Sequence, residues 1–153
     1  MIGQKKNIET LINWRLNKSI PRFIIIEGEE GSGRLTLSKL IGNIIGNTVL
    51  SEDNSKDSVN NIIEMSYNVN SPTLYIFRNV ENMSVQAKNA LLKVVEEPPN
   101  KSYFIMTIND LSNMLETIIS RATVVHMYPY SMNELENFSK DVEIIKYNRT
   151  PGK

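Results

Sequence analysis

The run Gly28-Glu29-Glu30-Gly31-Ser32-Gly33-Arg34-Leu35-Thr36 has residue types and spacing suited to holding an anion. Glycines let backbone amides turn inward, and a helix that starts where such a loop ends presents unpaired N–H donors to a phosphate. The spacing from Gly28 to Gly33 is that of a phosphate-cradling loop in which lysine and then serine or threonine follow the last glycine. Here Arg34 takes the lysine position and Leu35 the hydroxyl position. Arginine keeps the charge but is a longer, planar fork than a compact ammonium. Leucine offers magnesium no oxygen. Glu29 and Glu30 add negative charge where a polyphosphate would approach. Two readings stand: a loop kept for its folded shape alone, and a weak nucleotide or anion site built on Gly28, Gly31, Gly33, Arg34 and Thr36.

A second departure lies downstream. Phosphoryl transfer in such a site needs carboxylates at the end of a neighbouring strand, to hold magnesium and orient water. The apolar run Thr73-Leu74-Tyr75-Ile76-Phe77 leads instead into Arg78-Asn79. A cation stands where the metal-holding carboxylate belongs, and an amide where the base belongs. Two positions have lost their oxygen chemistry, which argues against hydrolysis and leaves ATP as at most a weak ligand. No protein-held metal is expected either, because the chain has no cysteine and a single histidine, His126.

Hydrophobic periodicity supplies the elements that must position these residues. Residues 7–17 read as an amphipathic helix with Ile8, Leu11, Ile12 and Leu16 on one face. Phe23-Ile24-Ile25-Ile26 is a continuous apolar run, the pattern of a strand covered on both faces. A helix over 35–45 ends at Gly46-Asn47. A strand at 48–50, a helix near 58–67, the strand at 73–77, a helix over 84–97, a strand at 103–108, a short helix near 114–120 and a strand at 123–127 follow. Strands alternating with helices through short links imply a parallel sheet with helices on both sides. One domain is expected over 1–129. Ser131-Met132-Asn133-Glu134 has the form of a capping box that starts a new helix in 130–153.

The helix at 84–97 carries Asn89-Ala90-Leu91-Leu92-Lys93 and ends in Glu96-Glu97-Pro98-Pro99, with Ser120-Arg121 further on. By itself this is an ordinary core stripe with a double-proline stop. Together with the glycine loop and the altered acidic strand, it resembles the first AAA+ domain of bacterial-type DNA polymerase III clamp-loader subunits, of the delta-prime or gamma/tau kind. The resemblance covers roughly residues 7–135 and is strongest from 73 to 121. It implies an α/β fold of the P-loop NTPase, AAA+ type: a three-layer α/β/α sandwich on a parallel sheet. The zinc-binding cysteines carried by many family members are absent.

The resemblance also implies roles. Asn109 falls at the sensor position that feels the outer phosphate of ATP, although a polar turn residue reads equally well there. Ser120-Arg121-Ala122 matches the family's Ser-Arg-Cys motif, which makes Arg121 a candidate finger into a neighbouring subunit's ATP site, against a plain surface salt bridge. Gln86, Lys88, Asn89 and Lys93 are candidates for touching a DNA backbone, against a merely solvated helix face. The implied partners are other clamp-loader subunits, the sliding clamp and primed DNA reached through the assembly. The helical lid and collar of the family are expected to continue beyond Lys153.

Composition sets outer bounds. At 153 residues, 41% of them hydrophobic, the chain suits one domain with a real core. Seventeen basic and seventeen acidic side chains cancel, so no independent tight binding of nucleic acid is expected. No run approaches the roughly 18 apolar residues of a membrane span, and no export signal is read at the start. A reducing, cytoplasmic setting is the expectation. Three functions compete: a catalytically silent clamp-loader subunit, a working gamma/tau-like ATPase that would require magnesium-dependent nucleotide binding, and a stand-alone interaction module that joins no assembly.

Overall fold

A computed structural model describes residues 4–128; the capping box at Ser131 and the second region at 130–153 lie outside them. The elements alternate as the periodicity requires. They are α1 (Lys5–Asn17), β1 (Phe23–Glu27), α2 (Arg34–Ile45), β2 (Asn47–Leu50), α3 (Lys56–Ser66), β3 (Thr73–Phe77), α4 (Val85–Glu96), β4 (Ser102–Ile108), α5 (Glu116–Ile119) and β5 (Thr123–His126). Two short 3₁₀ turns, Val80–Asn82 and Leu111–Asn113, follow β3 and β4. All strand pairs are parallel, in the order β2-β3-β4-β1-β5. Among the described residues no helix is long and apolar enough to cross a membrane.

The period-two geometry of a strand divides the apolar runs between two faces. Phe23, Ile25, Tyr75, Phe77, Phe104 and Met106 share one core with Val59 and Ile62 of α3 and Ala87, Leu91, Val94 and Val95 of α4. Ile24, Ile26, Leu74, Ile76 and Ile105 point the other way and pack with Leu11 of α1 and Leu37 and Ile41 of α2. The result is three layers, with both faces of β1, β3 and β4 buried as their continuous apolar sequences require.

Helix ends follow from local chemistry. Ser55 and Ser84 cap α3 and α4 by accepting from the amides of Ser58 and Ala87. Gly46 ends α2 at φ 137°, with its N–H on the Gly42 carbonyl. The double proline after α4 is held in place by Arg22, whose guanidinium donates to the carbonyls of Pro99 and Ser102 and lies 4.8 Å from the centre of the Tyr103 ring.

Helix α1 departs from the expected face. Leu11 is buried, but Ile12 and Leu16 are 51% and 74% exposed. The inward stripe is led by two amides, Gln4 and Asn7, both buried. Gln4 Nε2 donates to the Tyr128 carbonyl at 2.6 Å and Gln4 Oε1 accepts from the Tyr128 amide at 3.1 Å. Asn7 Nδ2 donates to Gln4 Oε1 and to the His126 carbonyl. A buried amide is tolerated when its bonds are made, and this network turns the helix until the amides meet the chain leaving β5.

Candidate functional site

The C-terminal ends of β1, β3 and β4 converge on the glycine loop, the place where open parallel sheets hold ligands. Gly28 begins the loop under tight constraint. Its N–H donates to the Ile108 carbonyl at 3.0 Å, and a Cβ there would lie 2.7 Å from Met127 Cβ and 2.8 Å from Ser32 Oγ. Gly31 and Gly33 adopt φ of 80° and 94°, left-handed values that glycine reaches without steric cost. Ser32 N donates to the Glu29 carbonyl. Gly33 is the N-cap of α2 and supplies no side-chain cap. Among the described residues, the amides of Gly31, Gly33, Arg34, Leu35 and Thr36 have no hydrogen-bond partner.

Arg34 turns into this site rather than out to water. It is only 6% exposed, and its Nη2 donates to Asn79 Oδ1 at 3.0 Å. The residue in the lysine position thus pairs with the residue in the catalytic carboxylate position, an encounter that sequence spacing could not reveal. Burial lowers the Arg34 pKa, opposed by the nearby charges of Glu81 and Glu30; a guanidinium remains protonated in such settings. Asn79 is fixed in turn. It sits at φ 49°, its amide donates to Thr107 Oγ1 at 3.0 Å, and Asn54 Nδ2 donates to the carbonyls of Arg78 and Asn79.

The space left beside Arg34 is small. A cavity of 110 Å³ is lined by Glu30, Gly31, Gly33, Arg34, Leu35, Arg78, Asn79 and Thr107, whereas pockets for nucleotide-sized ligands run to about 300–1,000 Å³. Leu35, which lines this cavity, is also partly buried against the core between the sheet and helices α1 and α2. Thr36 is exposed and does not line the cavity. A larger polar cleft of 620 Å³ lies beside the same Arg78–Asn79 turn, between the starts of α3 and α4.

Asn109 is exposed at the end of β4, and its backbone N–H donates to Glu81 Oε1 at 2.6 Å. Glu81 was not singled out by the sequence because it sits in a 3₁₀ turn without periodicity, yet it links Asn109 to the surroundings of Arg34. Glu27 was missed too. Its two oxygens take the Leu111 amide at 2.8 Å and face His126 Nδ1 at 2.9 Å, joining the ends of β1, β4 and β5. Its place immediately before Gly28 was the available signal.

Arg121 lies just after α5, away from the glycine loop. Nη1 donates to the Thr117 carbonyl at 2.9 Å and Nη2 is 3.6 Å from Glu96 Oε1. Both side chains are well exposed, at 43% and 53%, so the pair contributes at most about 1 kcal/mol and leaves the guanidinium easy to recruit. On α4, Gln86, Asn89 and Lys93 are exposed and Lys88 is half-buried. Lys88 Nζ donates to the Asn113 carbonyl at 2.7 Å, and Lys93 Nζ lies 5.4 Å from the centre of the Tyr67 ring. Both lysines are thus engaged within the chain.

A family profile described as DNA polymerase III, delta subunit, matches residues 45–131, which span the altered acidic strand, the α4 motif and Arg121. The chain belongs to this family. It is a clamp-loader-type AAA+ domain, and its parallel sheet and glycine loop are those of the P-loop fold. Among curated relatives, DNA polymerase III subunit gamma/tau of Mycoplasma genitalium is 28% identical, covering 78% of this chain and 25% of that protein. DNA polymerase III subunit delta' of Buchnera aphidicola is 32% identical, covering 59% of this chain and 29% of that protein. This family member therefore spans 25–30% of the length of those two relatives. The RuvB Holliday junction branch migration motor of Thermotoga maritima shares the fold at a TM-score of 0.73 and 13% identity, over 91% of this chain and 50% of that one.

Proposed function

We propose that the chain acts as a catalytically silent, delta-prime-like subunit of a clamp loader. In this reading it assembles with ATP-binding subunits, helps them place a sliding clamp on primed DNA, and lends Arg121 to a neighbour's ATP site. The observation that carries the reading is the Arg34–Asn79 hydrogen bond. The two positions that would hold phosphate and activate water are spent on each other, in a cavity of 110 Å³. The loss of oxygen at Leu35 and Arg78 supports it. Family membership and the delta' relative give the assembly its context. The gamma/tau relatives raise a second reading, a working ATPase, which those two positions oppose.

Restoring only the loop tests the distinction. The double substitution Arg34→Lys with Leu35→Thr is expected to leave phosphate release from ATP and magnesium at the level of the unmodified chain, because Arg78 and Asn79 still support neither metal nor water. Turnover clearly above that level would show that the strand end contributes carboxylate chemistry from elsewhere and would favour the ATPase reading.

A further inference from the structure

Helix α1 turns large apolar side chains outward. Ile12 and Leu16 are largely exposed, and with the half-buried Ile8 they recur every fourth residue along one flank of the helix. A lone exposed apolar residue needs no explanation, but such a line is a stripe that another helix can cover. The described residues end beside it. Tyr128 exchanges two hydrogen bonds with Gln4, the N-cap residue of α1, so the chain beyond Tyr128 starts at the N-terminal end of α1. From there α1 leads to the start of β1 at Phe23, whereas the glycine loop follows the other end of β1. The exposed stripe therefore leads away from the glycine loop.

The sequence after Tyr128 carries a counterpart. Behind the capping box at Ser131, Leu135, Phe138, Val142 and Ile145 recur at intervals of three, four and three, the seam of a helix that packs along another. Charges follow with opposite sign. Along α1 and its C-cap come Lys5, Lys6, Glu9, Arg15 and Lys18; along the later segment come Glu134, Glu136, Lys140, Asp141 and Glu143. Two cations, an acid and two cations thus meet two acids, a cation and two acids, and charges flanking an apolar seam set which helices pair. The lengths agree as well: as a helix, Leu135 to Ile145 spans about 15 Å, and Ile8 to Leu16 spans about 12 Å.

We propose that residues 131–145 dock as a helix on the stripe of Ile8, Ile12 and Leu16. The tether at Gln4 makes the pair parallel, which sets Leu135 and Phe138 over Ile8 and Ile12 and sets Val142 and Ile145 over Leu16. The segment then lies along the flank of the domain and leaves the glycine loop uncovered. Docking there does not depend on whether that loop holds a nucleotide.

The chain has no cysteine, so a single nitroxide label can be placed at will and read by amide NMR of the whole chain. A label on Asn13→Cys, an exposed position beside the stripe, should broaden the amides of 135–145. A label on Glu30→Cys, in the glycine loop, should leave them sharp. Ile12→Gln with Leu16→Gln changes only outward side chains and keeps good helix formers in α1. It should abolish the broadening from Asn13 and speed amide exchange over 135–145 by about tenfold or more, the loss of two apolar contacts. Phe138→Gln should do the same from the other side. Mixing labelled with unlabelled chains identifies a second copy as the occupant, if broadening then arises only between chains. That result would overturn the proposal. So would broadening from Glu30 in place of Asn13, silence from both labels, or an Asn13 effect that survives the double glutamine variant.

Discussion

Phe104→Ala is expected to destabilise the chain by about 3–5 kcal/mol, the range for removing a large aromatic from a closed core. Phe104 is fully buried in β4, with its ring centre 5.9 Å from Phe23 on β1 and 5.6 Å from Tyr75 on β3. The three rings form a ladder across the middle of the sheet, under α3 and α4. Truncation removes two ring contacts at once and opens a void between β4 and its two neighbouring strands, β1 and β3. With total stabilities of only about 5–15 kcal/mol, such a loss lowers the melting temperature by roughly 6–20 °C. Thermal unfolding followed by circular dichroism, with the exposed Val85→Ala as control, measures it. A cost below about 1 kcal/mol would mean that the sheet does not pack as described.

Arg121→Ala is expected to have the largest functional effect. In the proposed reading Arg121 acts in trans on a neighbour's ATP and needs no ligand of its own, so this role would survive loss of the local site. In a clamp loader assembled with ATP-binding partners, hydrolysis at the one site facing Arg121 should fall by about 10³-fold or more in single turnover. Total turnover falls less, by the share of that site. Assembly, read by gel filtration, should persist, because the Glu96 and Thr117 contacts are exposed and contribute little. Arg121→Lys should rescue poorly, since an ammonium does not reproduce a forked contact with a transferring phosphate. Unchanged hydrolysis in both variants would reduce Arg121 to a partner of Glu96.

Much of the fold was legible in the sequence, for identifiable reasons. Strands β1 and β3 were plain because a strand buried on both faces must be apolar at every position, and Phe23 to Ile26 and Thr73 to Phe77 are nearly so. Ser84 and the double proline bracketed α4 within a residue of its ends. The sequence marks helix α1 but not the face it buries, since Ile12 and Leu16 are exposed. Periodicity counts apolar side chains, whereas Gln4 and Asn7 orient this helix by hydrogen bonds to His126 and Tyr128, over a hundred residues away. The same blindness to long-range polar pairing hid the most telling contact of the site. Arg34 and Asn79 each looked like an isolated departure from a pattern, and only the parallel order that sets β1 and β3 on either side of β4 brings them within 3.0 Å. Glu81 and Glu27 escaped notice because short turns and strand ends carry no repeating signal.

In the proposed reading this clamp-loader-type domain works without a nucleotide of its own, and calorimetric titration with ATP and magnesium tests that. Burial of Arg34 against Asn79, the absence of a side-chain oxygen at Leu35 and Arg78, and the charges of Glu29 and Glu30 are all expected to weaken nucleotide binding. The expected result is no saturable magnesium-dependent heat up to millimolar ATP. A dissociation constant in the low micromolar range, about −8 kcal/mol of binding free energy, with a requirement for magnesium, would instead establish a working nucleotide site.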